Sequence, residues 1–198
     1  MPNSFHNSYF PGLKRVQQVS AVHCGPAVLE MLLSYLGRQV SQQQLVDAAG
    51  VRSSINEFGM NVADLGRAVS GAHSDLQFWY KDEARVDDIR RLIHNYNMPV
   101  GIEWQGNFRS EDDDGDYGHY STVLGIDEES MTVTLADPYY PAHDRVFLLK
   151  DFERDWWDVN EVVNPMTGLR KPILDHHMIF TVTHKTATFP ENLGMKRG

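Results

Sequence analysis

The chain has 198 residues, 41% of them apolar and 11% aromatic, which is material for a substantial core and argues for one domain. A formal net charge of −9 argues against a nucleic-acid binder or a protein of anionic membrane surfaces, since neither has a basic stripe to work with here. No apolar h-region opens the chain and no window approaches about 18 apolar residues, so a soluble, cytoplasmic protein is expected.

The first half reads as helical. From Pro26 to Leu36 the residues Ala27, Val28, Met31, Leu32, Tyr35 and Leu36 follow a helical period that Gly37 stops. Ser41 opens a second helix, with Gln44 three residues on in a capping-box pattern, and Gly50 ends it. Shorter helices follow over Val62–Val69 and from Val86 to about Asn95, with a strand over Leu76–Tyr80 between them. The second half reads as β. Val100, Ile102 and Trp104 alternate, His119–Ile126 and Ser130–Asp137 flank the polar turn Asp127-Glu128-Glu129, and Val146–Leu149 and Met178–Val182 are further strands. Helices followed by an antiparallel sheet make an α+β fold. The core spans about 16–184, with 1–12 and 185–198 as loose tails.

Cys24 is the only cysteine, so one chain can form neither a disulfide nor a multi-thiolate zinc site, and the residue is either a buried apolar group or a nucleophile. It immediately precedes Gly25 and Pro26 at a helix start, where the positive end of the helix dipole favours a thiolate. A nucleophilic cysteine needs a base and a group that orients the base. If Ile126 and Ser130 close a three-residue loop, His119 falls directly opposite Asp137 on one face of the hairpin, within reach of an imidazole–carboxylate hydrogen bond. Gly118 before His119 and Pro138 after Asp137 suit sharp turns at a sheet edge where a site opens.

Other residues carry less. His23 adjoins Cys24 and its side chain is expected to point elsewhere, and Gln17 is less well spaced than Gln18. Glu111–Asp116 resembles a calcium loop, but its glycine comes too early, so a solvated acidic loop is expected. His143 and the His176-His177 pair lack metal-site spacing, and serine-hydrolase, P-loop and dinucleotide signatures are absent.

Several segments occur together in a telling order: Gln18 six residues before Cys24; Cys-Gly-Pro-Ala opening a helix; Gly118-His119-Tyr120 with Val123 and Gly125; Ala136-Asp137-Pro138; and Lys150 to Trp157 as a short helix ending in tryptophan. Over roughly residues 16–158 they resemble the C39-like branch of the papain-like cysteine peptidases. The resemblance implies a papain-like fold, with a nucleophile-bearing helical half packed on an antiparallel sheet. It makes Cys24 the nucleophile, His119 the general base and Asp137 its orienter. Gln18 and the Cys24 backbone N–H become the oxyanion donors. A peptide or protein substrate is implied, without metal or cofactor, and without nucleic acid or membrane as partner. The chain departs from members fused to an exporter, and it carries His23 where others often carry Asp, so leader-peptide cleavage is not implied. Hydrolysis of a peptide or amide bond is the first expectation. An acyltransferase or transglutaminase-like enzyme with the same residues, and a catalytically silent binding module, are the alternatives.

Overall fold

The computed structural model describes residues 10–106, 117–163 and 166–198. Helix α1 (Cys24–Tyr35) follows the Pro26 signal and is buried along almost its whole length, with Ala27, Val28, Leu29, Met31, Leu32 and Leu33 in the core. A helix buried on every side has to sit in the middle of a structure, and α1 lies against the sheet with helices beside it. Gly37, at φ +72°, lets the chain turn away after it. Helix α2 (Gln42–Ala49) carries the expected capping box, Ser41 with Gln44, and ends on left-handed Gly50. A single turn, α3 (Ile55–Phe58), has no counterpart in the sequence expectation; four residues are too few to show a period. Helix α4 (Val62–Ala72) runs three residues past its expected end, and α5 (Val86–Tyr96) one residue past.

Strand β1 (Leu76–Lys81) lies between α4 and α5, and the later strands join it in one antiparallel sheet. These are β2 (Val100–Gln105), β3 (Gly118–Asp127), β4 (Thr132–Ala136), β5 (Asp144–Leu148), β8 (Ile179–His184) and β9 (Lys196–Arg197). The sheet order is β5-β4-β3-β2-β8-β1-β9. Helix α6 (Leu149–Arg154) follows β5 and leads to buried Trp156, while β6 (Trp157–Val163) and β7 (Arg170–His176) form a separate hairpin. That hairpin escapes the sequence pattern because it has no clean alternation and β7 contains Pro172, which is tolerated where no central ladder is needed. Central strand β2 is buried on both faces, so Gly101, Glu103 and Gln105 are as buried as the alternating apolar residues between them.

Three expectations are corrected. The segment 185–198 is not a loose tail: α7 (Phe189–Asn192) and β9 close over β1, and Leu193 and Met195 are buried. The expectation for 1–12 lies outside the described residues up to residue 9, and Phe10 is buried. The β3–β4 loop has four residues, not three. Asp127 pairs with Thr132 because its carboxylate accepts the N–H groups of Glu129 and Ser130 (both 2.9 Å), which commits it to the first position of the turn. Gly118 is the third: it is a strand residue paired with Gln105, and the Asp158 carboxylate occupies the space its side chain would need. The acidic run Glu111–Asp116 lies outside the described residues.

No helix among the described residues is long and apolar enough to cross a membrane.

Candidate active site

A four-residue loop shifts the strand pairing, and carried through unchanged it would put His119 and Asp137 on opposite faces. A β-bulge between Val123 and Gly125 restores the parity, so that Val123 faces Leu135 and Thr122 faces Ala136. Carried one residue past β4, this register sets Asp137 opposite Ser121 and diagonal to His119 on the same face. Side chains span such a diagonal. The His119 Nε2–Asp137 Oδ1 distance is 2.8 Å. The contact expected from sequence is therefore made, through a register other than the one that suggested it.

His119 pairs with Trp104 in the ladder, and its side chain fills the space a Cβ at Gly106 would occupy, 2.7 Å from His119 Cβ. Its other neighbour is Cys24, the first residue of α1, which lies near enough for its charge to act on the imidazole. With Nε2 engaged by Asp137, Nδ1 is the nitrogen left for the thiol. Burial works against the charged ring, but the hydrogen bond to Asp137 and the negative charge that Asp137 and Cys24 can carry outweigh it, and His119 is raised to about 9.

Asp137 is buried and fully coordinated. Oδ1 accepts from His119 and from the Tyr139 N–H (2.8 Å), and Oδ2 accepts from Arg145 Nη1 at 2.5 Å. Burial pushes the carboxyl up, and the bonds from His119, Arg145 and Tyr139 overcome this and hold it below the ordinary carboxylate range. Arg145, on β5, also donates to Gly106 O (2.9 Å), and its guanidinium packs against the Trp104, Tyr140 and Phe147 rings. A cavity of about 360 Å³ opens beside His119, Asp137 and Arg145. Sequence reasoning missed Arg145, since an arginine in an edge strand carries no motif.

Gln18 is tied to the same place by its backbone, which donates to Pro138 O at 3.0 Å. Gln42, buried at the start of α2, grips the chain on either side of it: Nε2 donates to Gln17 O (2.9 Å) and Oε1 accepts from Val19 N (3.0 Å). The Gln18 side-chain Nε2 donates to Ser20 O (2.8 Å) and Ala21 O (3.3 Å), and buried Oε1 has no partner. The other sequence candidates lie elsewhere. The His23 ring is hydrogen-bonded to Ser20 Oγ at 2.7 Å, and Gln17 is exposed. His143 meets the Arg15 side chain through its backbone oxygen. The His177 ring nitrogens face Ala84 O and Glu153 O, and the ring stacks on His176 and Trp156. Among the described residues no group of His, Cys, Asp and Glu is arranged to hold a metal.

A family model described as Peptidase_C39 like matches residues 11–162. The chain belongs to that family. An uncharacterized protein of Methanothermobacter marburgensis is 29% identical over 124 residues, covering 62% of this chain and 70% of that one. A second, from Methanothermobacter thermautotrophicus, is 27% identical over the same length. Among solved structures, the peptidase domain of Streptococcus ComA, a bi-functional ABC transporter of a quorum-sensing pathway, aligns with a TM-score of 0.58 at 16% identity, over 87% of this chain and 99% of that one. The double glycine motif protease of an AMS/PCAT transporter, solved with a leader peptide, aligns with a TM-score of 0.53 at 18% identity, over 87% and 92%. The fold is the papain-like fold of these C39 peptidase domains.

Two outcomes follow from the site. His119 lies above the free imidazole value of about 6.5, so the native state holds its proton more tightly than the unfolded chain. The stabilisation is complete below about pH 6.5, declines as pH rises and is lost above about 9. Nitrogen-detected NMR should show His119 titrating near 9, and the stability difference between wild type and His119→Gln should shrink across that window. A midpoint at or below the free value would remove the charged pair. Arg145→Gln strands Asp137 Oδ2 in the interior, and an expected loss of about 2–3 kcal/mol in urea unfolding, partly restored by Arg145→Lys, checks it. A loss under about 0.5 kcal/mol, the size of an ordinary surface change, would show that the carboxylate does not need the guanidinium.

Proposed function

We propose that the protein is a cysteine hydrolase that cleaves a peptide or amide bond through a thioester on Cys24. The observation that carries this reading is Cys24 at the N-terminus of α1, near enough to the His119 ring to act on its charge, with that ring hydrogen-bonded to the Asp137 carboxylate. The Cys24 thiol passes its proton to His119, and the sulfur attacks the scissile carbonyl carbon as the C=O electron pair moves to oxygen. The imidazolium of His119 then gives its proton to the departing amine as the C–N bond breaks, leaving the acyl group on sulfur. In the second half, His119 takes a proton from water as that water attacks the thioester, and the thiol is released. Asp137 keeps the ring oriented and stabilises its charged form throughout.

In this reading the oxyanion receives the Cys24 backbone N–H and the Gln18 side chain, which exchanges its longer bond, to Ala21 O, for the developing charge. A peptide substrate is supported by the family and by the leader peptide bound to the AMS/PCAT protease of the same fold. Acyl transfer uses the same first half, with an amine in place of water in the second.

A p-nitrophenyl ester of a blocked dipeptide separates the possibilities. A burst of nitrophenol stoichiometric with enzyme, a matching mass increase on Cys24 and turnover indifferent to added amine are expected. Turnover that rises with amine concentration would make the protein a transferase. No burst and no mass increase would leave a binding module and end the enzyme reading. Gln18→Ala should lower kcat by about 10²-fold with little change in KM, because an oxyanion donor acts in the transition state. If KM alone moved, Gln18 would serve only to hold its loop or the substrate.

A further inference from the structure

A second cavity, of about 1040 Å³, opens between α3 and α4 and the β6–β7 hairpin. Its walls are largely apolar, with Phe58, Val62, Ile173 and Met178 among them, and half-buried Asn160 and Asp175 also line it. Its rim reaches the segment that leads into the nucleophile. A Cβ at Gly59, on its rim, would lie 3.9 Å from Val22 O, two residues before Cys24. A Cβ at Gly25 would meet Leu65 of α4 at 3.1 Å and the Tyr120 ring at 3.4 Å, and Tyr120 is the cross-strand partner of Glu103.

The charges around this cavity are unevenly compensated. At the rim, Asp64 is paired with Arg67, and Arg170 links Glu161 to Glu57 across the opening while lying over the Phe58 ring. Asn160 Nδ2 donates to both Asp175 Oδ2 (2.8 Å) and Glu103 Oε1 (2.9 Å). Neither of these carboxyl groups makes an ion pair among the described residues. Glu103 is wholly buried and its Oε2 has no partner at bonding distance, the Tyr120 hydroxyl being a neighbour that is unpartnered too. Burial, with the nearby Asp158 and Asp175 carboxylates adding to it, drives Glu103 well above the ordinary range, and burial raises Asp175 as well. A carboxyl group pushed up in this way keeps a proton. A largely apolar cavity with the Asp175 carboxyl on its lining, and a second carboxyl buried behind Asn160, fits an aliphatic stem that carries a positive head.

We propose that this cavity is a substrate subsite for a long cationic side chain, of the lysine or arginine type, with its stem along Phe58, Val62 and Met178 and its charged head on Asp175, with buried Glu103 behind it. The cation takes the place of the proton that the two carboxyl groups otherwise hold, and that proton leaves to solvent. The arginine fork can engage both oxygens of one carboxylate, which a single ammonium does less well, so arginine is the preferred head. The inference rests on the cysteine-hydrolase reading for the word substrate, and the chemistry of the subsite stands apart from it.

The test uses dipeptide acyloxymethyl ketones that differ only in one side chain, Arg, Lys, norleucine or Glu, placed in turn at each of the two positions. The rate of mass increase on Cys24 is the readout. At one position the Arg probe should react at least about tenfold faster than the norleucine probe. Glu103→Gln and Asp175→Asn should each bring that ratio toward one, and Asp175→Lys should turn the preference toward Glu. Because the readout is a ratio within one variant, general loss of folding cannot produce it. Norleucine equal to or faster than Arg at both positions, or a ratio unchanged in both Asp175 variants, would overturn the proposal while leaving the hydrolase reading intact. If no probe labels Cys24, the hydrolase reading fails. Calorimetry of the corresponding dipeptide amides with Cys24→Ala then decides the subsite: tighter binding of Arg, lost in Asp175→Asn, supports it, and equal binding overturns it.

Discussion

The buried carboxylate of Asp137 is the node on which the site's geometry depends. Ionised and out of water, it would be costly without partners, and it has drawn them from three parts of the chain. Its oxygens take His119 from β3, Arg145 from β5 and the Tyr139 backbone, its own carbonyl accepts Tyr140 N–H, and the next carbonyl, of Pro138, accepts Gln18 N–H. The loop leading into α1 is thereby fastened to the end of the sheet. A single buried charge thus sets the orientation of the ring and the location of the segment that precedes the cysteine.

What brings that carboxylate to the right face is a one-residue irregularity. The turn chemistry of Asp127 and the pairing needed at Asp137 demand registers of opposite parity, and the bulge between Val123 and Gly125 reconciles them. Two local preferences in conflict are resolved by leaving one residue of β3 out of the ladder. Gly106 and Gly118 serve the same end of the sheet by omission: a side chain at either would collide with His119 or with the Asp158 carboxylate.

The molecule treats its buried carboxyl groups in two ways. Asp137 is charged, paired and rigid, held low by a histidine and an arginine. Glu103 and Asp175 are pushed up by burial, to which Asp158 adds at Glu103 and Asp82 at Asp175, with Asn160 between them. The first arrangement suits a group that must keep an imidazole in place. The second leaves room for a positive charge brought from outside.

Much of the helical half was legible in the sequence because its signals are local. Pro26 after Cys24, the Ser41/Gln44 box, Gly50 and the apolar period of α1 act within a few residues, and each reappears in the structure. Strand positions β1 to β5 and β8 were legible from alternation, and the order of Gln18, Cys24, His119 and Asp137 pointed to a papain-like fold. Only the tertiary structure decided the register of β3 on β4, because a bulge has no signature short of the paired strand that reveals it. Only it found Arg145 and Gln42, whose roles come from groups more than a turn or a strand away, and Glu103, whose place on a two-sided buried strand hides a carboxyl among apolar residues. Local propensity reports what a residue does to its own backbone. Which charges meet in the interior is settled by the packing of elements far apart in the chain.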